Sequence, residues 1–282
     1  MSHLRNLLYN PSGHEQAPLS PSVATAPGHV PTLAKGPAAA YAPAEFPVEE
    51  AQLRPESRIV FHSDPRSPAA DRYRLLRMKL KTLSSTGKLK KILVTSPLAH
   101  DGKTTVTLNL ATALAERGKR RVLLIEADLH NSSLADILSL RQAAGLSECL
   151  VNDSISPLAA IRRIEPLGWN FLAGGEPRRN PTELLQTPAF GRIMEQLSSC
   201  FDWILIDSPP IIPLTDSISL QQHADASLLV VRAGRTPREA VEKTIELLGK
   251  KNIIGVVLNG MEARDHLYYQ YYDGTKHQHD ED

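Results

Sequence analysis

Lys91 to Ala111 reads KILVTSPLAHDGKTTVTLNLA, and this stretch decides the fold. Ile92 to Val94 is a short apolar run with the composition of a buried strand. A polar turn, Ser96 to Asp101, leads into Gly102-Lys103-Thr104-Thr105. Apolar residues then fall at Val106, Leu108, Leu110, Ala111 and Leu114, which suits a helix packed on a sheet. Strand, loop and helix in this order make a phosphate cradle, with backbone N–H groups and the helix N-terminus facing the anion. The loop would comprise Ala99, His100, Asp101, Gly102 and Thr105, with Lys103 reaching the outer phosphates and Thr104 offering its hydroxyl to Mg²⁺. Pro97 stands where the usual pattern places its first glycine. Gly-Lys-Thr alone also fits a helix start with a solvated lysine. The flanking strand and helix carry the nucleotide reading.

The chain has 282 residues, enough for one large or two ordinary domains with a substantial core. Its net charge of +1 gives no global field that would favour nucleic acid or an acidic membrane. Cys149 and Cys200 are isolated, with neither metal spacing nor a disulfide framework, and read as small core residues in a reducing compartment. No apolar run approaches the ~20 residues that cross a bilayer, and the N-terminus lacks a secretory apolar region. These features predict a cytoplasmic protein.

Residues 1–56 hold nine of the 21 prolines and little aliphatic periodicity. Burial there cannot offset the entropy of ordering, so the segment is expected to be a disordered arm, either a plain linker or a docking arm for a partner. A short helix is possible at Ser2 to Leu8. Residues 57–262 form the expected folded domain. In it, Ser67-Pro68 opens a helix that carries Tyr73, Leu76 and Leu80 on one face. Asp71, Arg74 and Arg77 recur along one ridge of this helix, either pairing within it or bridging to another subunit. Gly118 ends the helix that follows the loop, and Val122 to Ile125 is the next strand.

Glu126 and Asp128 sit at the C-terminal end of that strand, the edge where open α/β sheets bind ligands. They can reach a metal and a reacting hydroxyl, or merely cap an Asn131 to Ile137 helix. Short helices are expected at Gly145 to Val151 and Ser156 to Arg163, a strand at Trp169 to Ala173, and helices from Asn180-Pro181 and from Pro188 to Ser199. FDWILIDSPP, Phe201 to Pro210, is a strand ending in Asp207, a carboxylate suited to holding Mg²⁺ or, more plainly, to capping a helix. Ala224 to Val231 and Ile253 to Asn259 are further strands around a Pro237 to Leu248 helix. The alternation predicts an α/β fold with a mostly parallel sheet of about seven strands and helices on both faces. In the tail, residues 263–282, Tyr268, Tyr269, Tyr271 and Tyr272 are four of the chain's seven tyrosines. A polar terminus of this kind is expected to be flexible. Its phenols could enter another molecule's active site, or form an inert aromatic edge.

Together these pieces resemble the bacterial tyrosine autokinases of capsule and exopolysaccharide synthesis, of the CpsD/CapB type, which are related to the MinD/ParA P-loop ATPases. The resemblance spans roughly residues 58–272. It rests on the P-loop, on LLIEADLH, on ILIDSPP, on Asn180-Pro181 with Glu183-Leu184-Leu185, on the Asp71-Arg74-Arg77 helix and on the tyrosine cluster. It implies ATP as substrate, Lys103 on the β/γ-phosphates, and Mg²⁺ held by Thr104, Asp128 and Asp207. It places Glu126 as the proton acceptor, the four tail tyrosines as phosphate acceptors in trans, and Asp71, Arg74 and Arg77 as ring-forming contacts of a homo-oligomer. A separate transmembrane polysaccharide chain-length activator is implied as partner, recruiting the protein to the inner face of the membrane.

Five positions depart from the family pattern: Glu126 and His130 replace Asp and Arg, Asp71 replaces Glu, and Ala99-His100 replaces Pro-Gly. A MinD/ParA-like ATPase switch without kinase activity is the alternative. No lysine occupies residues 97–101 to cross into a sandwich dimer of that type, and no Asn-Lys-x-Asp stretch reads guanine.

Overall fold

The computed structural model describes residues 46–85, 87, 89–213 and 216–261. Eight strands form one sheet: β1 (Val48–Glu50), β2 (Lys91–Thr95), β3 (Val122–Glu126), β4 (Arg162–Glu165), β5 (Trp169–Leu172), β6 (Trp203–Asp207), β7 (Ala226–Arg232) and β8 (Ile253–Asn259). Their spatial order is β1-β4-β5-β3-β6-β2-β7-β8. All neighbours are parallel except β4 and β5, which form an antiparallel hairpin.

Strand residues alternate between two cores, as the period of two requires. Ile92 and Val94 of β2, Leu124 of β3 and Leu205 of β6 face one helical layer, which includes the Lys103–Ala115 helix. Leu93, Leu123, Ile125, Ile204 and Ile206 face the other, where Phe190, Met194 and Leu197 of the Pro188–Ser198 helix pack. Burial on both faces explains why these strands read as continuous apolar runs.

Three features differ from the sequence expectation. The described residues begin at 46, and those from 46 to 56 join the fold although they lie inside the stretch expected to be a disordered arm. Phe46 stacks on Phe201 at 5.6 Å, and β1 adds to the sheet through backbone bonds such as Arg163 N–H to Pro47 C=O at 2.8 Å. Pairing of this kind needs no apolar periodicity, so composition is silent about it. Second, the helix expected over 156–163 stops at Ala160 and gives way to β4. Ile161 and Ile164 enter opposite cores there, a spacing the backbone meets by pairing with β5. With β1 and β4 included, the sheet has eight strands rather than about seven. Third, the helix after the P-loop ends at Ala115, before Gly118. Glu116, Arg117 and Gly118 follow at φ of 50°, 60° and 80°. The rest of the predicted arm, residues 1–45, and the tail tyrosines lie outside the described residues.

Asn109, fully buried on the Lys103–Ala115 helix, fastens the entry segment to the layer below it. Its Oδ1 accepts from Val60 N–H at 2.8 Å, and its Nδ2 donates to the carbonyls of Arg58 at 3.0 Å and Thr105 at 2.9 Å. Asn109→Ala is expected to lower unfolding free energy by about 1–3 kcal/mol, because it strands buried partners as well as losing bonds. Urea unfolding of both proteins checks this.

Candidate active site

The order β3-β6-β2 brings the C-terminal ends of three strands side by side, and the chemistry gathers there. The loop after β2 is braced from three directions. Ile211 and Ile212, past β6, donate their amides to the carbonyls of Ser96 at 2.9 Å and Pro97 at 3.1 Å. Asp101, 2% exposed, accepts from Thr236 Oγ1 at 2.7 Å and from the Leu98 amide at 3.0 Å. Asn259, at the end of β8, donates to the Asp101 carbonyl at 2.9 Å. Gly102 is held at φ 96°, where a Cβ would lie 2.0 Å from Asn259 Nδ2, so only glycine fits. Ala99 and His100 are exposed at the tip of the loop, with His100 at φ 66°.

Where the helix starts, Lys103 Nζ lies 2.9 Å from Asp128 Oδ2. Thr104 Oγ1 donates to Asp207 Oδ2 at 2.9 Å and Thr107 Oγ1 to Asp207 Oδ1 at 3.2 Å. Burial raises the Asp207 pKa to about 6 against the opposing pull of Lys103 and the threonine hydroxyls. Burial acts to lower the Lys103 pKa, but the charges of Asp207, Asp128 and Glu126 and the bond to Asp128 outweigh it, leaving the ammonium held above its ordinary value. The hydroxyl of Thr104 and the carboxylates of Asp128 and Asp207 are hard oxygen donors of the kind Mg²⁺ takes. Among the described residues no group of three or more His, Cys, Asp or Glu side chains forms a metal cage by itself. Mg²⁺ typically binds through one or two carboxylates, with substrate phosphates and water supplying the rest.

Glu126 has a different place. Its Oε1 accepts from the amides of Ser133 and Leu134, each at 2.7 Å, and its Oε2 from Gly174 at 3.0 Å. It is 2% exposed, and burial raises its pKa while the amides of Leu134 and Gly174 oppose the shift. The carboxylate expected to take a proton thus ties the turn after β3 to the turn after β5.

A profile of the ParA group, described as NUBPL iron-transfer P-loop NTPase, matches residues 88–266. Tyrosine-protein kinase YwqD of Bacillus subtilis (strain 168) is 31% identical over 225 residues, covering 79% of this chain and 94% of YwqD. The chain belongs to the bacterial tyrosine-kinase family, on the MinD/ParA P-loop fold. The kinase domain of Escherichia coli tyrosine kinase ETK superposes with a TM-score of 0.69 at 26% identity, over 73% of this chain and 81% of that one. The succinoglycan biosynthesis transport protein ExoP of Rhizobium meliloti (strain 1021) is 31% identical over 225 residues, which are 78% of this chain but only 28% of ExoP. The family therefore includes chains of this kinase's length and much longer ones.

In this kinase, His130, where the family pattern has Arg, contacts Asp216 through Nε2 at 2.6 Å. Asp216 is 1% exposed. On the Pro68–Ser84 helix, Arg74 bonds Asp71 at 2.6 Å and the Pro65 carbonyl at 2.5 Å, and Arg77 donates to the Ala113 carbonyl at 3.1 Å. All three motif residues thus have contacts within the chain. Burial pushes the Cys149 thiol up to about 11, which keeps it an unreactive core residue. Sequence reasoning missed Thr107, Asp216, Thr236 and Asn259. Only Thr107 left a local signal, lying one turn beyond Thr104 on the same helix face.

Asp207 also makes a testable contribution to stability. Its folded pKa lies above the ordinary value of 3.8, so its favourable contribution is complete below about pH 4 and is lost as pH rises through about 6. Without nucleotide or metal, the unfolding free energy of the wild type is expected to fall by roughly 2 kcal/mol more than that of Asp207→Asn between pH 4 and 7.5. Urea titrations of both proteins across that range check it.

Proposed function

We propose that the protein is an ATP-dependent protein-tyrosine autokinase that phosphorylates Tyr268, Tyr269, Tyr271 and Tyr272 on the tail of a neighbouring copy, and so regulates polymerisation and export of an exopolysaccharide or capsule. One observation carries the reading: in a chain of this family, Lys103, Thr104, Asp128 and Asp207 converge at the mouth of the phosphate loop.

Phosphoryl transfer passes through a loose transition state in which positioning and charge neutralisation do most of the work. Lys103, oriented by Asp128, neutralises charge on the outer phosphates. Thr104, Asp128 and Asp207 would hold Mg²⁺, which would offset the charge of the phosphates. The braced loop presents its amides to the phosphates. The phenol, with a pKa of ~10, gives up its proton late in such a loose transfer, as its oxygen bonds to phosphorus and the bond to the leaving diphosphate breaks, and the proton passes to an oxygen of the transferred phosphoryl group. Glu126, engaged by three amides, supports the site by fixing the two turns beside it. Each phosphate added to the tail brings about −1.5 to −2 charges, which favours its release from an acid-lined pocket and loosens the ring.

A transmembrane activator is the partner that fits this reading, and it would bring the protein to the inner face of the membrane. ExoP, named as a transport protein, is a much longer chain than this one. Among the described residues no helix is long and apolar enough to cross a membrane.

Mass spectrometry of protein made with and without Lys103→Met tests the proposal. The wild type is expected to carry phosphate within residues 268–272 and the variant none. Equal tail phosphate in both defeats the autokinase reading, and release of free phosphate without labelled tyrosine marks an ATPase switch instead. Glu126→Gln separates support from base catalysis. It is expected to retain tail labelling within about tenfold of the wild type and to lower the melting temperature. A fall of 10²–10⁴-fold with the melting temperature intact is the mark of a general base.

A further inference from the structure

At the opposite end of the Lys103–Ala115 helix from the phosphate loop, about 20 Å away along its thirteen residues, lies a second cavity. Its volume is about 480 Å³. Phe61, Pro65, Pro166 and Leu167 supply apolar walls, and Arg74, Arg77 and Arg117 are among the residues that line it. Arg74 stacks over the Phe61 ring with its Cζ 5.3 Å from the centroid. Arg77 donates one N–H group to the Ala113 carbonyl at 3.1 Å, and its charge acts on the neighbouring Glu116 carboxylate. Arg117 is exposed, and its side chain has no partner among the described residues. The one carboxylate in the lining, Glu116, is already held by Lys81 at 2.7 Å. His62 and Thr112 complete the polar part of the lining.

The backbone adds an independent observation. Glu116 and Arg117 are both held in the left-handed region, at φ of 50° and 60°, where an ordinary residue is disfavoured by roughly 1–2 kcal/mol. Strain in two consecutive non-glycine residues persists where the surroundings over-determine it, and such residues cluster at ligand clamps. Here it sets Arg117 on the rim of the cavity.

We propose that this cavity binds a phosphotyrosine side chain on a peptide, with the apolar walls taking the ring and the guanidiniums of Arg77 and Arg117 taking the phosphate. Forked guanidiniums are the groups that recognise phosphate in two-point contact, and arginine clusters are a recurring phosphopeptide reader. The volume lies within the range of small-ligand sites. The inference rests on the autokinase reading for its ligand, since a tail carrying aryl phosphates would be its product. Binding there would retain the modified tail away from the phosphate loop, and because Arg74 and Arg77 are also the residues assigned to ring contacts, the cavity would take the tail in the chain released from the ring.

Fluorescence anisotropy on the phosphatase-treated full chain tests this without ATP. The probes are a labelled peptide of residues 264–276 with phosphotyrosine at Tyr271, the unmodified peptide, and the same peptide with phosphoserine at that position. The phosphotyrosine peptide is expected to bind at least about tenfold tighter than either of the others, and Arg117→Ala to weaken it about tenfold. Arg77→Gln, with folding checked by circular dichroism, is expected to weaken it similarly.

Equal binding of modified and unmodified peptide, or binding indifferent to both substitutions, overturns the proposal. Phosphoserine binding as tightly as phosphotyrosine, or inorganic phosphate displacing the peptide at a concentration equal to free phosphotyrosine, reduces the cavity to a bare anion site and also overturns it. Because the peptides are synthetic, absence of tail phosphate in the wild type would defeat the autokinase reading while leaving this binding result intact.

Discussion

The site depends on a carboxylate placed where water cannot easily reach it. Asp207 ends β6, the strand between β3 and β2, so it faces the start of the P-loop helix on one side and the acids of β3 on the other. Burial makes its negative charge costly, and the structure offsets that cost with the hydroxyls of Thr104 and Thr107 and the nearby ammonium of Lys103. A divalent cation would satisfy the same carboxylate more completely. Thr104 is in turn fixed by it, while Lys103 is held by Asp128 beside it, so Asp207 also sets the entry of the P-loop helix.

Glu126 stands opposite Asp207 in the register of β3 and β6. Two carboxylates at adjacent positions on the same face of neighbouring strands repel unless something takes up their charge. Asp207 has the hydroxyls and Lys103, while Glu126 has three amides. The extra methylene relative to Asp gives the side chain the reach that this arrangement uses, spanning to amides on two different turns. The substitution and the engagement of the carboxylate are therefore one feature, and its consequence is rigidity in the loops that border the site.

The strand, loop and helix around Gly102 were legible because each rested on a local pattern: an apolar run, a Gly-Lys-Thr turn and a helical period. Lys103, Asp128 and Asp207 followed, since acids at strand ends are informative once the sheet is recognised as parallel. What stayed hidden depends on long-range backbone pairing. β1 is three residues long and carries two glutamates, and its place at the sheet edge is set by β4. β4 in turn reads as a continuation of the preceding Ser156-Pro157 helix start until its partner β5 is known. The braces on the phosphate loop were hidden for the same reason, because Thr236 and Asn259 lie more than 130 residues from Asp101 in sequence.

Those braces bear on how a loop that lacks the customary first glycine can work. A glycine there would allow the chain to turn freely. Pro97 instead fixes φ near −65° and offers no N–H. The loop is then shaped from outside. Its carbonyls at Ser96 and Pro97 are taken by the amides of Ile211 and Ile212, its Asp101 side chain by Thr236, and its Asp101 carbonyl by Asn259. The remaining requirement for backbone freedom falls on Gly102, where the approach of Asn259 leaves no room for a Cβ. Preorganisation of this kind lowers the ordering cost of phosphate binding. It also couples the loop to the end of β8, two residues before Met261, after which the chain continues into the segment that carries the four tyrosines. Asn259 thus joins the last strand of the sheet to the carbonyl of Asp101 beside the phosphate loop.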